Sequence, residues 1–582
     1  MYTVLLFILY NHISFLPLTL RETRLNLNGF FMEIYMIFRY SSLRINLQDI
    51  GTAYIFFFIR KDSLSDIIQL RRGTEKRMSE KKAIICIHYA FYVVSVFLHL
   101  IQRNNRASNL SFICKGGILM STSAENRGQF GSKLGFILSA AGSAVGLGNI
   151  WKFPGKAYFC GGGAFLIIYL IIVALVGTTV MMAEFTVGRK THKNAVGAMR
   201  ELNAKWSWVG GLGVLTGFII LCYYCQVGGW AMKYIVAYIV DVKTIWADPT
   251  AYFLNNLLGA DGTFPLQGAV IFPFIFLFLT AYIISHGTAG IEKMSKLLMP
   301  LLFIMLIALM IRSCTLPGAD DGLKYMLNVD FSTINGVAIL TALGQAFFSL
   351  SLGMGVMMTY ASYLSNEDNL ISNTAIVCTL DTLVALFAGF MIIPAVFATG
   401  IAPGMGGGFG FATLAGVFMA IPGGQLIGTV FYFLLFFAAI TSSTSILEGT
   451  IAFLVEEKGF ERKKALLGAS IVIFIIGVMY TLSQAYMNLK GIWISGDGIS
   501  YPIFGDFLEY LTDRLLLPLG AFFTTVFVGW IWGTDNSVEE ATSYGKFKFT
   551  LAPVYKFIVK ILDPIAIGAI IIAGLVFGMS IS

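Results

Sequence analysis

Eleven apolar segments, each roughly 20 residues or longer, are the feature that most constrains how this chain can fold. A bilayer core of about 30 Å needs about 20 apolar residues in a helix that crosses it. Hydrophobic residues make up 57% of the 582-residue chain and charged residues 12%, whereas soluble domains carry about 25% charge. The sequence therefore predicts an all-α polytopic membrane protein with eleven transmembrane helices. The predicted segments are 132–158, 161–188, 207–240, 268–286, 292–313, 336–363, 371–399, 426–455, 463–483, 503–533 and 556–580.

The distribution of Lys and Arg predicts the orientation in the membrane. Loops after the second, fourth, eighth and tenth segments carry fifteen basic residues, and the opposite loops carry four. Basic residues accumulate on the cytoplasmic side. We therefore expect a multi-pass protein of the inner (plasma) membrane, with a leader at 120–131 in the cytoplasm.

Residues 1–119 differ from the rest of the chain. They hold 15 Lys and Arg against 7 Asp and Glu, whereas the remainder holds 25 of each. We expect this apolar and basic part to be an extension that is not translated, with Met120 as the start; a cleaved signal peptide is the weaker alternative. Because no aromatic-interleaved basic groove accompanies the charge, a nucleic-acid partner is not expected.

The polar residues do not point to an enzyme or a cofactor site. The seven cysteines have no spacing typical of a disulfide framework or a zinc site, and only two histidines, both at loop edges, follow residue 119. The sequence therefore predicts no catalytic residues and no cofactor. A channel is not favoured either, because it would need a continuous pore-lining ring.

Two of the apolar segments are interrupted by glycine at mid-membrane. The first interruption lies within Gly142–Pro154 and the second within Ser349–Gly355, five segments later. Paired interruptions in the two halves of a membrane protein are typical of a transporter's binding site, although single glycines also serve as packing notches. We expect two inverted five-helix repeats at 132–313 and 336–533, followed by a cytoplasmic loop and a peripheral eleventh helix at 534–582.

An unwound helix offers polar backbone groups to a ligand. Each unpaired amide or carbonyl costs several kcal/mol in hydrocarbon unless a polar partner satisfies it. The half-helix that starts near Leu147 presents amides, which suit a carboxylate. The half-helix that ends near Ala144 presents carbonyls, which suit a cation. The break therefore predicts a site for a zwitterion.

Motifs along residues 127–580 resemble the neurotransmitter:sodium symporter family. The stretch Gly142–Pro154 is similar to the family's first-helix signature. Further similar stretches are Gly161–Phe165, Glu184–Arg189, Gly344–Gly355, Thr359–Tyr363 and Ala438–Ser443. The resemblance is to the bacterial branch and implies Na⁺-coupled uptake of neutral or hydrophobic amino acids by alternating access. A transport-inactive amino-acid sensor on the same scaffold is the alternative.

The resemblance also implies the binding residues. The first sodium site would use Ala144, Asn149, Ser349 and Asp381, together with the substrate carboxylate. The second would use Gly142, Val145, Ala438, Thr441 and Ser442. The substrate site would use Ala144, Leu147, Gly148, Ile220, Tyr224, Phe348, Ser349, Ser351, Met354, Ser443 and Ile446.

Two positions depart from many relatives. Asp381 stands where chloride-dependent members have Asn, and Ala385 stands where they have Ser one turn later. A carboxylate beside the cation can replace the chloride charge, so we expect chloride independence. Met354 stands where some relatives have an aromatic residue, which favours a pocket for large apolar side chains; simple packing is equally compatible with it.

Gate residues follow from the resemblance as well. Lys152 would form an outer gate with Asp506 or Glu509, and Arg127 an inner gate with Glu456; Tyr363 is also assigned to a gate. Glu184 would brace the unwound sixth helix. Glu448 has no assigned role, and both a protonated carboxyl and a coupled proton remain open. The sequence does not indicate the oligomeric state, and the bilayer is the other expected partner.

Overall fold

The computed structural model describes residues 128–403, 408–486, 490–494, 500–502 and 504–576, and these residues are mostly helical. The helices are α1 Lys133–Ala144, α2 Gly148–Phe159, α3 Gly163–Thr191, α4 Ala195–Leu202, α5 Ala204–Val240, α6 Val242–Ala247, α7 Pro249–Leu258, α8 Leu266–Ser285, α9 Gly287–Cys314, α10 Asp320–Leu327, α11 Gly336–Ser349, α12 Val356–Ala361, α13 Leu370–Thr399, α14 Phe409–Ala420, α15 Gly424–Lys458, α16 Arg462–Gln484, α17 Gly505–Ala541 and α18 at 552–576. A hairpin of β1 Lys490–Ile494 and β2 Ser500–Pro502 precedes α17.

All eleven predicted segments coincide with helices. Among the described residues, eight helices are long and apolar enough to cross a membrane: α3, α5, α8, α9, α13, α15, α16 and α17. The pair α1 and α2 adds a ninth span with a bend of 51°. The sixth segment is α11 with α12, and the eleventh is α18. The fold is thus an all-α polytopic membrane protein whose described part is consistent with eleven spans.

Glycines at the break between α1 and α2 allow close packing against the second broken helix. Ser132 caps the start of α1 with its hydroxyl, which accepts the Gly135 amide, and Val145 caps the end of α1 with an extended backbone. A Cβ at Gly148 would lie 2.6 Å from the Phe348 ring. A larger residue would therefore push the second broken helix away from the first.

The break between α11 and α12 depends on unusual backbone angles. Ser351, Gly353 and Gly355 have φ of 54°, 78° and 67°, a region that favours glycine. The carboxylate of Glu184 on α3 accepts the Gly353 amide at 2.7 Å. The expected brace is thus present, because this buried side chain replaces a hydrogen bond that the unwound helix lacks.

Two long buried spans, α5 and α15, lie beside the broken helices. Helix α5 packs along α15, and α15 also contacts α1 and α9. The start of α1 is attached to α9, where Glu292 accepts hydrogen bonds from the Gly131 amide and the Ser132 hydroxyl at 2.7 and 2.8 Å. The broken helices are therefore held between long, continuous neighbours.

Several short helices occupy connections that the sequence analysis left unassigned. They are α4, α6, α7, α10 and α14. Helix α14 is apolar but has only 12 residues, which is too short to cross a bilayer. The expected extension at 1–119 and most of the leader at 120–131 lie outside the described residues.

Candidate functional site

Three polar side chains meet where the first break faces α13. The Asn149 amide nitrogen donates to Ser349 Oγ and to Asp381 Oδ1, both at 2.7 Å, and Ser349 Oγ donates to Asp381 Oδ2 at 2.8 Å. The Asn149 side-chain oxygen accepts the Gly146 amide at 3.1 Å. All three side chains are buried. The structure therefore brings together three of the four residues assigned to the first sodium site, and the fourth, Ala144, lines the adjacent cavity.

The residues assigned to the second sodium site also lie together. Ser442 Oγ is within 3.2 Å of the carbonyl oxygens of Gly142 and Val145, and within 3.0 Å of that of Ser143. The Thr441 hydroxyl donates to the Ala438 carbonyl at 3.1 Å. A Cβ at Gly142 would lie 3.2 Å from Thr441. This cluster presents only oxygen atoms, as a hard cation requires.

A cavity lies between the broken helices, α5 and α15. Eight of the eleven residues assigned to the substrate site line it: Ala144, Gly148, Ile220, Tyr224, Phe348, Ser351, Met354 and Ile446. Its other lining residues are Ser143, Gly146, Asn149 and Ser442. One end is thus polar, with backbone and side-chain oxygens, and the other is apolar, which suits a molecule with both characters.

Three assigned substrate residues do not line this cavity. The Leu147 amide is bonded to the Tyr224 hydroxyl at 3.1 Å, and Ser349 is engaged in the polar cluster with Asp381. The Ser443 hydroxyl lies 3.0 Å from that of Thr280 on α8. Leu147 and Ser349 are one hydrogen bond from the cavity, whereas Ser443 faces away, because its position on α15 turns it toward α8.

Lys152 forms its ion pair with a carboxylate that the sequence analysis did not name, although Glu509 also acts on its charge. Its ammonium lies 2.9 Å from Asp513 Oδ2, one turn beyond Glu509 on α17, and Glu509 instead accepts from the Tyr480 hydroxyl at 2.6 Å. Lys152 Nζ also lies 4.1 Å from the centre of the Phe348 ring. Residues four apart, such as Glu509 and Asp513, lie on the same face of a helix. The sequence alone therefore does not show which of the two carboxylates reaches Lys152.

The inner gate is only partly described. Arg127 lies outside the described residues, while Glu456 accepts hydrogen bonds from the Asn194 amide and side chain at 3.0 and 2.8 Å. Tyr363, assigned to a gate, donates to Glu448 at 2.9 Å. The described half of the gate therefore joins α15 to the segment that precedes α4.

Glu448 has a partner that the sequence analysis did not identify. Its two oxygens lie 3.2 and 2.5 Å from the guanidinium of Arg462, at the start of α16. The Tyr363 hydroxyl donates a third hydrogen bond to the same carboxylate. These hydrogen bonds hold the Glu448 carboxylate between Arg462 and Tyr363.

Other residues near the site were missed. Gln345 donates from its side chain to the Gly148 carbonyl at 2.9 Å and so links the two broken helices. The Ser143 carbonyl accepts from the Ser351 hydroxyl at 3.0 Å, which makes a second link. A buried amide inside the Gly344–Gly355 motif was the available signal for Gln345; nothing in the sequence distinguished Asp513.

Comparison with known proteins agrees with this geometry. The model of the sodium:neurotransmitter symporter family matches residues 127–248 and 240–580. An uncharacterised sodium-dependent transporter of Methanocaldococcus jannaschii is 33% identical over 461 residues, which cover 76% of this chain and 90% of that protein. A second uncharacterised sodium-dependent transporter, from Bacillus subtilis, is 35% identical over 405 residues, covering 69% of this chain and 87% of the relative.

A solved structure shows the same likeness. The crystal structure of MhsT in complex with L-phenylalanine is similar with a TM-score of 0.69 and 36% identity, covering 77% of this chain and all of MhsT. The family match extends over most of the chain and includes both breaks and the residues around them. The chain therefore belongs to the sodium:neurotransmitter symporter family and is a Na⁺-coupled membrane transporter, not an enzyme.

Proposed function

We propose that this protein carries neutral or hydrophobic amino acids into the cell together with Na⁺, by alternating access. The observation that carries the proposal is the cavity between the two breaks, with the cluster of Asn149, Ser349 and Asp381 beside its polar end. Backbone groups and hydroxyls at that end suit the ammonium and carboxylate of an amino acid. Ile220, Met354 and Ile446 at the other end suit an apolar side chain.

Coupling to Na⁺ is assigned to two sites. The first comprises Ala144, Asn149, Ser349 and Asp381, and the carboxylate of the substrate completes it. The second comprises Gly142, Val145, Ala438, Thr441 and Ser442. Because one ion and the substrate share a site, each strengthens binding of the other, and that reciprocity couples their transport. The L-phenylalanine bound to MhsT supports an amino acid as the substrate.

The position of Asp381 supports the proposal that transport does not require chloride. Its carboxylate is buried and accepts hydrogen bonds from Asn149 and Ser349. A fixed negative charge at this place balances a cation in a medium of low dielectric constant, where an uncompensated charge is costly. Replacement of chloride by gluconate is thus expected to leave uptake unchanged, and a collapse of uptake would contradict this part of the proposal.

The protein is assigned to the inner (plasma) membrane, with residues 120–131 in the cytoplasm. The excess of basic residues in the even-numbered loops supports this orientation. In this orientation Lys152 and Asp513 lie toward the outside, above the cavity, and Tyr363, Glu448 and Arg462 lie toward the inside.

Uptake into proteoliposomes tests the function. With Na⁺ outside and none inside, radiolabelled phenylalanine, leucine or another neutral amino acid is expected to accumulate above its external concentration. Competition by each of the twenty amino acids then defines the substrate. Na⁺-dependent binding without accumulation would instead identify an amino-acid sensor. The absence of both binding and uptake for every amino acid would refute the proposal.

A further inference from the structure

A buried aspartate that does not line the cavity lies on the eleventh membrane segment. Asp563 on α18 is fully buried. Helix α18 packs there against α17, α3 and α11. Charged side chains within a membrane are costly and are usually paired with a group of opposite charge. Asp563 has no such ion pair within the described part of the chain.

The hydrogen bonds around Asp563 indicate its protonation. Thr179 Oγ on α3 lies 2.9 Å from Asp563 Oδ2, and it is also 2.7 Å from the Leu175 carbonyl and 2.9 Å from the Val176 carbonyl. A hydroxyl has one hydrogen to donate. A threonine in a helix commonly gives that hydrogen to the carbonyl four residues earlier, which here is that of Leu175.

Thr179 Oγ has a carbonyl acceptor in its own helix at a shorter distance than Asp563, and we therefore take Asp563 as the donor in the bond between them. If Thr179 donates to its own helix, an ionised Asp563 would place two lone pairs against each other at 2.9 Å. A protonated Asp563 instead donates to Thr179 Oγ, and both groups are satisfied. The other oxygen, Oδ1, has no hydrogen-bond partner among the described residues, which is tolerable for a neutral carbonyl and costly for a carboxylate.

The charged groups closest to Asp563 along the packed helices are engaged elsewhere. On the packed faces, α3 contributes 173–183, α11 contributes 336–349 and α17 contributes 517–533, and none of these stretches contains an ionisable residue. Farther along α17, Asp513 pairs with Lys152, and Arg514 lies over the Tyr510 ring. On α18 itself, Lys560 is three residues before Asp563, and its ammonium lies 4.9 Å from the centre of the Trp530 ring. The phenol of Tyr555 is bonded to Ser537 at 2.7 Å. A phenol is neutral at physiological pH.

We propose that Asp563 is a proton-binding site at the contact between α3 and α18, and that its proton holds these two helices together. Loss of the proton would leave a buried charge without a partner, and α18 would separate from α3. The site is independent of the substrate and sodium residues, because Asp563 lies outside both clusters and the cavity. Alkaline conditions are thus expected to loosen this contact.

Thermal unfolding of the purified full-length protein in detergent, from pH 5 to pH 9, tests the proposal. An unfolded aspartate loses its proton near pH 4, whereas under the proposal Asp563 keeps its proton in the folded protein. The folded chain then binds the additional proton, and its stability decreases as the pH rises. The Asp563→Asn variant keeps the shape of a neutral acid and cannot ionise. We expect its Tm to fall less between pH 5 and pH 9 than that of the wild type, by on the order of 2 °C.

The controls make each outcome decisive. Asp535→Asn, which alters an exposed carboxylate, is expected to keep the wild-type pH slope. Asp563→Ala, which removes the hydrogen bond, is expected to unfold at a lower temperature than Asp563→Asn at pH 5. Equal pH slopes in the wild type and Asp563→Asn, or failure of Asp563→Asn to fold, would overturn the proposal, because an amide should replace a neutral acid.

Infrared spectroscopy provides a second readout on the same proteins. At pH 7 the wild type is expected to show the carbonyl stretch of a protonated carboxyl group that Asp563→Asn lacks. The Asp535→Asn spectrum should retain this absorption. Identical spectra of the wild type and Asp563→Asn in that region would show that Asp563 is ionised, and the proposal would then be wrong.

Discussion

The Asn149 amide nitrogen lies 2.7 Å from Asp381 Oδ1, so a hydrogen bond joins the break in the first membrane segment to the middle of the seventh. Ser349, at the break in the sixth segment, donates to the other oxygen of the same carboxylate. A single buried carboxylate therefore connects three segments, and its charge is available to a cation in the same place.

Asp381→Asn is expected to weaken Na⁺-dependent uptake by at least about tenfold, because a lost hydrogen bond to a charged group costs about 1.5–3 kcal/mol. The double variant Asp381→Asn with Ala385→Ser is expected to regain uptake only when chloride is present. Uptake assays in chloride and in gluconate measure both effects. Undiminished, chloride-independent uptake by the single variant would show that Asp381 does not supply the compensating charge.

Ser442→Ala is expected to raise the Na⁺ concentration needed for half-maximal uptake, because the Ser442 hydroxyl oxygen lies against three backbone carbonyls. Loss of one oxygen ligand should shift this value about tenfold. Thr450→Ala, two turns along the same helix and bonded only to its own backbone among the described residues, is the matched control. An equal change of this Na⁺ concentration in the two variants would show that Ser442 does not bind the ion.

Met354→Phe is expected to reduce uptake of large apolar amino acids about tenfold relative to alanine, because Met354 lines the cavity and overpacking costs about 1–3 kcal/mol. Met354→Leu has a similar volume and is expected to retain the wild-type preference. Competition assays with alanine, leucine and phenylalanine provide the comparison. An unchanged preference in Met354→Phe would mean that Met354 serves packing alone.

Asp513→Asn is expected to leave substrate binding nearly intact and to lower the rate of uptake, because it removes the partner that holds Lys152 over Phe348. Asp506→Asn and Glu509→Gln are the controls, since neither carboxylate is bonded to Lys152; Glu509 acts on the ammonium through its charge alone, so its variant should show a smaller loss than Asp513→Asn. Equilibrium binding and initial uptake rates separate the two effects. A larger loss of uptake rate in either control than in Asp513→Asn would show that Asp506 or Glu509, as expected from the sequence, is the partner of Lys152.

Arg462→Gln is expected to destabilise the protein by about 3 kcal/mol, because it leaves the buried carboxylate of Glu448 without its ion pair. The estimate is at the lower end of the range for buried pairs, since the Arg462 side chain is 33% exposed. The double variant with Glu448→Gln should recover most of this loss. Thermal unfolding of the single and double variants measures the coupling, and additive losses would indicate no interaction.

The sequence by itself determined the membrane class, the eleven apolar segments, the two breaks and most of the residues around the cavity. Each of these depends on local properties: apolar length sets a span, and glycine within a span permits unwinding. The motifs then identified Asn149, Ser349 and Asp381 as a group. Ser349 is 200 residues after Asn149, and Asp381 is 32 residues after Ser349.

Only the tertiary structure decided which polar groups face each other across helices. Asp506, Glu509 and Asp513 are all near one end of α17, and the rotation of that helix brings Asp513 to Lys152. Arg462 reaches Glu448 because the turn after α15 folds α16 back along it. Asp563 meets Thr179 from 384 residues away. Such pairings depend on helix rotation and packing, which a one-dimensional pattern of apolar residues does not encode.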